Sequence, residues 1–186
     1  MLPQQKMKAG MQSKSSRVAL GGIVAALCVT AMFLTGVLPA LYIAAPMGTG
    51  MLMLILVEEV SVSWAWLTYV AVSLLSMIVT FDKEAALMFV LFFGYYPILR
   101  MYLEKIPLKA LKLLLKQALF NIFIVTDYWI TVYILGLPTF EDTMPYMYVI
   151  LIVSGNLLFL MYDRLLSRMH WFYKRVFVRK ILGRRR

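Results

Sequence analysis

About six apolar stretches divide this chain, most of them long enough to cross a bilayer, and nearly every Lys and Arg lies on one side of that alternation. Lys6, Lys8, Lys14 and Arg17 precede the first stretch. Arg100, Lys105, Lys109, Lys112 and Lys116 fall from the end of the fourth to the start of the fifth, and the rest fall within residues 164–186, at and beyond the end of the sixth. Lys83, between Asp82 and Glu84, is the exception. Cytoplasmic membrane loops carry an excess of Lys and Arg. The pattern therefore predicts a multi-pass protein of the cell membrane, with both termini and the central basic loop cytoplasmic. In lipid every backbone polar group needs an internal partner, which an apolar helix supplies by itself. The expected fold class is all-α: a polytopic membrane protein of six transmembrane helices with interfacial basic amphipathic helices.

Composition removes several function classes. At 62% hydrophobic and 15% charged residues, the chain is too apolar for an ordinary soluble domain. The net charge of +10 sits at membrane borders, where each Lys or Arg adds roughly 1 kcal/mol of attraction to anionic lipid. The lipid bilayer is thus the expected partner, and nucleic acid is not, since no basic soluble domain exists to bind it. Cys28 is the single cysteine and His170 the single histidine. An intrachain disulfide, a thiolate or histidine metal site and a Ser-His-Asp set are all out of reach. There is no phosphate-binding glycine loop. No cofactor, no metal and no enzymatic activity are expected. A basic start ahead of an apolar run has the outline of a signal peptide. Residues 18–38, however, form an uncharged run of about 21 residues, too long for that, and further spans follow.

The organisation reads as a cytoplasmic basic tail (1–17), a six-helix membrane domain (18–168) and a basic amphipathic C-terminal tail (169–186). The predicted spans are 18–38, 46–57, 62–81, 85–101, 113–135 and 145–166. Between the first two, Pro39, Pro46, Gly48 and Gly50 interrupt an apolar context and predict a re-entrant or loosely wound outer loop. Leu108, Leu111, Leu115 and Leu119 alternate with Lys109, Lys112 and Lys116, the spacing of a helix lying along the inner interface before the fifth span rises. Trp171, Phe172, Val176, Phe177 and Ile181 among basic residues predict a second such helix.

Asp127 is the polar residue that most needs an explanation. It falls near the middle of the fifth predicted span, where an ionised carboxylate costs at least a few kcal/mol. It must face the bundle interior, a cavity or a proton. Asn121 and Thr131 lie near its face. A ligand contact and a purely structural, protonated or hydrogen-bonded carboxylate are both open. Asn156, in the sixth span, is either helix glue or a second pocket residue. In FFGYYPILR, Gly94 permits close packing and Pro97 predicts a kink, bringing Tyr95 and Tyr96 to a candidate pocket wall. Glu58 and Glu59 are expected to pair with the basic 109–116 segment. Gly21/Ala25 and Gly22/Ala26 form small-xxx-small pairs, with Ala19 nearby, and mark a contact face.

The layout resembles the substrate-binding S component of energy-coupling factor (ECF) transporters. It also resembles an uncharacterised bacterial membrane family with the same six-helix plan. The resemblance covers about residues 15–168. It rests on the basic tail leading into SSRVALGGIVAAL, on the loop LPALYIAAPMGTG, and on the spacing of the next four spans. It implies capture of a small solute, a vitamin or micronutrient, together with separate ECF ATPases and a transmembrane coupling subunit. It further implies that Ala19, Gly22 and Ala26 dock onto that subunit, that the loop covers the ligand, and that Asp127 and Asn156 lie near it. The competing expectation is a structural protein of bacterial cell-envelope assembly, which needs lateral contact faces and no solute pocket.

Overall fold

The computed structural model describes residues 14–136 and 147–182. Among these the chain is helical throughout, without strands. It divides into two compact units, Met1–Leu137 and Pro138–Arg186. The first holds α1 (Lys14–Thr35), a 3-10 turn (Pro39–Leu41), α2 (Ala44–Glu59), α3 (Val62–Val79), α4 (Lys83–Met88), a π-helical segment (Phe89–Phe93), α5 (Tyr96–Leu103) and α6 (Lys109–Tyr133). The second holds α7 (Met147–Leu182). Among the described residues five segments are long and apolar enough to cross a membrane: Ser15–Thr35, Val62–Val79, Lys83–Leu103, Lys109–Tyr133 and Val149–Trp171.

The direction of each helix follows from its contacts. Near their N-terminal ends, Gly21 of α1 faces Trp64 and Thr68 of α3. Beyond their C-terminal ends, a Cβ added to Gly36 would lie 2.8 Å from the Phe81 Cβ, and the Phe33 and Phe81 rings are 5.8 Å apart. Helices α1 and α3 therefore run parallel, and α2 must return between their opposite ends. Its 16 residues rise about 24 Å. Its buried residues, Ala45, Pro46, Thr49, Gly50, Met53, Leu54, Leu56 and Val57, cover one half of its circumference, and the other half is partly buried from Met47 on. The core of this unit has one cluster around Cys28, Met32, Met53, Val72 and Phe89, and another around Leu56, Val57, Ala65 and Ile98. Outside it, α3 leaves Leu67, Leu74 and Ile78 more than 60% exposed. Such broad apolar faces suit contact with lipid and are rare on soluble monomers.

Several boundaries differ from the sequence-based expectation, each for a local reason. Pro46, read as a breaker, sits in the first turn of α2, where a backbone amide has no intrahelical partner to lose. Its carbonyl accepts a hydrogen bond from the Thr49 hydroxyl at 2.8 Å, and Gly48 and Gly50 continue the helix. The basic segment expected along the interface is instead the opening of α6, which runs unbroken from Lys109. The second expected interfacial helix likewise continues α7 past residue 168. α3 starts sharply because the Ser61 hydroxyl accepts the Trp64 amide, and α4 because the Asp82 Oδ1 accepts the Ala85 amide at 3.0 Å.

Candidate functional site

One face of α6 orders the chemistry of the first unit. Lys116, Phe120 and Phe123 are its buried residues, and Asp127 follows at the next helical repeat on the same stripe. Because the helix begins at Lys109 and ends at Tyr133, Asp127 stands six residues from its C-terminal end, or about 9 Å along the axis. Its Oδ1 is buried and meets no hydrogen-bond donor among the described residues, and the same holds for Thr131 Oγ1 one turn on.

The start of α4 packs against α6 and brings Glu84 near Asp127. The Tyr42 hydroxyl lies beside Glu84, where its proton can turn toward the carboxylate in a hydrogen bond. Burial first, then that hydrogen bond and the charge of Glu84, push the Tyr42 hydroxyl above the usual tyrosine range, with smaller contributions from Asp127 and Asp82. The neighbouring cation Lys83 is turned elsewhere. Lys83 Nζ donates to the carbonyls of Met77 and Thr80, 2.8 and 2.9 Å away, and so closes the C-terminus of α3. Next to this acidic set an open cleft of about 430 Å³ is lined by Thr35, Gly36, Tyr42, Phe81 and Asp82. Among the described residues no three His, Cys, Asp or Glu side chains stand close enough together to hold a metal ion. The combination of carboxylates, a phenol and an exposed Phe81 ring suits an organic cation better.

The other expected site residues fall into different surroundings. Tyr96 is fully buried and stacks on Phe92 at 4.7 Å, and Tyr95 meets Tyr69 and Phe92 edge-on. Both belong to an aromatic core that includes Phe120 and Phe123. Asn121 donates to the Gln117 carbonyl and Asn156 to the Ile152 carbonyl, each within its own helix. Asn156 lies in the second unit, on α7. Ala19, Gly22 and Ala26 are exposed along α1, and a Cβ on Gly22 would meet nothing within 4 Å.

At the opposite end of the unit, Glu104 accepts Arg100 at 3.2 Å, Lys112 at 3.0 Å and Lys116 at 2.6 Å. Arg100 and Lys116 are only 4% and 3% exposed. Burial alone would raise the Glu104 carboxyl, but the hydrogen bonds and charges of Lys116, Lys112 and Arg100 outweigh it and hold it below the usual range. Sequence reasoning missed this centre, along with Tyr42 and Glu84. The i, i+4 spacing of Arg100 and Glu104 was the available signal, while the pairing with Lys112 and Lys116 crosses a chain reversal.

No protein-family model, curated protein or solved structure matches this chain.

Proposed function

We propose that this chain is an integral membrane protein with six crossing helices and cytoplasmic termini, whose cleft faces outward and takes a small cationic solute. The observation that carries the reading is the gathering of Asp82, Glu84, Asp127 and the Tyr42 hydroxyl at one end of the first unit, with Lys83 turned away to cap α3. That end lies opposite the basic residues Arg100, Lys112 and Lys116, which the positive-inside pattern assigns to the cytoplasm. The parallel course of α1 and α3 supports a crossing by α2, and hence the even number of spans. Asp127 and Glu84 would bind the cationic group and Tyr42 would orient it. The chain carries no nucleotide site, so energy for release inward would come from separate ATPase and coupling subunits, as in the S components it resembles. Exposed Ala19, Gly22 and Ala26 give α1 a face that a partner helix can approach closely.

The test is a titration of the protein in nanodiscs with small amines and their neutral isosteres. At least one amine should bind while its neutral counterpart does not. Asp127→Asn should weaken that binding about tenfold or more, the loss expected for a charged hydrogen bond of roughly 1.5–3 kcal/mol. Equal binding by wild type and Asp127→Asn overturns the role of Asp127. A native-membrane pull-down that brings wall-assembly proteins and no ATPase would replace the transport reading with a scaffold.

A further inference from the structure

The fourth apolar span is one run in sequence and two rods in structure. At its centre the backbone takes π-helical form over Phe89–Phe93, and the Gly94 amide donates to the Phe89 carbonyl at 2.8 Å, five residues back. The Val90 carbonyl thereby loses the donor an α-helix would give it. Three residues after Gly94, Pro97 has no amide to offer the Phe93 carbonyl. α5 restarts independently, with the amides of Ile98 and Leu99 both directed to the Tyr95 carbonyl at 3.0 Å. Two weak points thus fall within eight residues, in a span whose backbone is otherwise helical.

The carbonyl displaced by the π-segment is satisfied from another helix. Tyr69 of α3 donates its hydroxyl to Val90 O at 2.7 Å. Gly94 makes the approach possible, because a Cβ there would stand 2.7 Å from the Tyr69 ring and 2.8 Å from Phe89. One side-chain hydroxyl therefore completes the backbone at a point where an unpaired carbonyl in lipid costs several kcal/mol. The two rods end in different chemistry: α4 carries Glu84 at the acidic end, and α5 carries Arg100, bound to Glu104, at the basic end.

We propose that Phe89–Pro97 is a joint in this span, latched by the Tyr69–Val90 hydrogen bond, about which α5 swings relative to α3 while α4 stays in place. π-Segments are rare, recur at functional sites and kink the helices that hold them, and hinge motions are absorbed by a few residues at element ends. The Tyr69 hydroxyl is the group that distinguishes the latched arrangement, since a swing of α5 that rewinds the π-turn returns Gly94 N to Val90 O and releases it.

The experiment is pulsed electron paramagnetic resonance on the full chain in nanodiscs, in a Cys28→Ala background. One spin-label pair, Ser63 with Tyr102, reports across the joint from exposed positions on α3 and α5. A second pair, Ile23 with Val70, joins exposed positions on α1 and α3 as a fixed reference. The wild type should show two distances for the first pair and one for the second. Tyr69→Phe should raise the minor population by roughly three- to tenfold, the effect of losing one hydrogen bond. Gly94→Ala, which displaces the Tyr69 ring, should shift it the same way, so that either variant suffices if the other does not fold. A single narrow distance for the first pair in wild type overturns the joint. So does an unchanged population in both variants, or a reference pair that moves as much as the first.

Discussion

Glu104 shows how much one side chain can matter at a helix junction. Arg100 and Lys116 are almost fully buried, and Glu104, about a third exposed, is an anion shared by both. Glu104→Gln should lower stability by about 2 kcal/mol, between the values for exposed and for buried ion pairs, measured by thermal unfolding in detergent. The pH dependence has a definite sign. The folded-state carboxyl lies below its unfolded value, so its contribution is complete above the unfolded pKa and is lost as pH falls through the folded one. The gap between wild type and Glu104→Gln should stay constant from neutral pH to about 5 and narrow below about 4. A gap that widens on acidification would remove the carboxylate from this role. Residue types alone did not reveal such pairings. Lys83 looks in sequence like the counter-ion of its acidic neighbours Asp82 and Glu84, yet its ammonium caps α3. Asp127 was legible as a residue that must face inward, because a charge in an apolar run has few other options. Its partners were not, because Tyr42 and Glu84 come to it from other elements.

Helix by helix, α1 carries two small-residue faces that the sequence could not tell apart. Gly21 packs toward Trp64 and Thr68, while Gly22 has open space. Gly21→Leu should therefore destabilise the isolated protein by about 1–3 kcal/mol through overpacking. Gly22→Leu should leave its unfolding temperature unchanged and weaken only the recovery of partner subunits from native membranes. Equal stability loss in both variants would show that both faces are internal. Helix positions were legible because long uncharged runs leave the backbone few alternatives in lipid. Their ends were less so. Hydropathy does not register that a Pro in a first turn is harmless, as at Pro46, or that a Lys-rich amphipathic start can belong to the crossing helix itself, as at Lys109. Gly94 and Pro97 announced a bend in the fourth span, but the π-turn shifts the helix phase by a fraction of a turn, which apolar residues on all sides conceal.

Across the whole chain, topology turns on α2. Among the described residues five helices are long and apolar enough to cross, an odd number that would put the two termini on opposite sides. The contacts at both ends of α1 and α3 make those helices parallel, so the chain between them must travel back through the same thickness. A 16-residue helix of about 24 Å is short for a lipid-exposed span of roughly 30 Å, but from Ala45 to Glu59 α2 has no exposed residue, and the protein that covers one half of it relaxes that length requirement. In the proposed topology α2 crosses as well, which makes the count six and assigns both basic ends to one side, as the positive-inside rule demands. α7 adds a further constraint: its 36 residues extend about 54 Å, roughly 16 residues more than a hydrocarbon core of about 30 Å requires. Single cysteines placed at exposed positions decide the matter, since native Cys28 is fully buried and gives little background. With an impermeant maleimide on intact cells, Phe81→Cys should label at once. Ser15→Cys and Arg168→Cys should label only after permeabilisation, and both alike. If Ser15→Cys and Arg168→Cys label from opposite sides, the number of crossings is odd and the basic segments do not share a face. The acidic cleft would then lose its assignment to the outside, and the solute reading would fall with it.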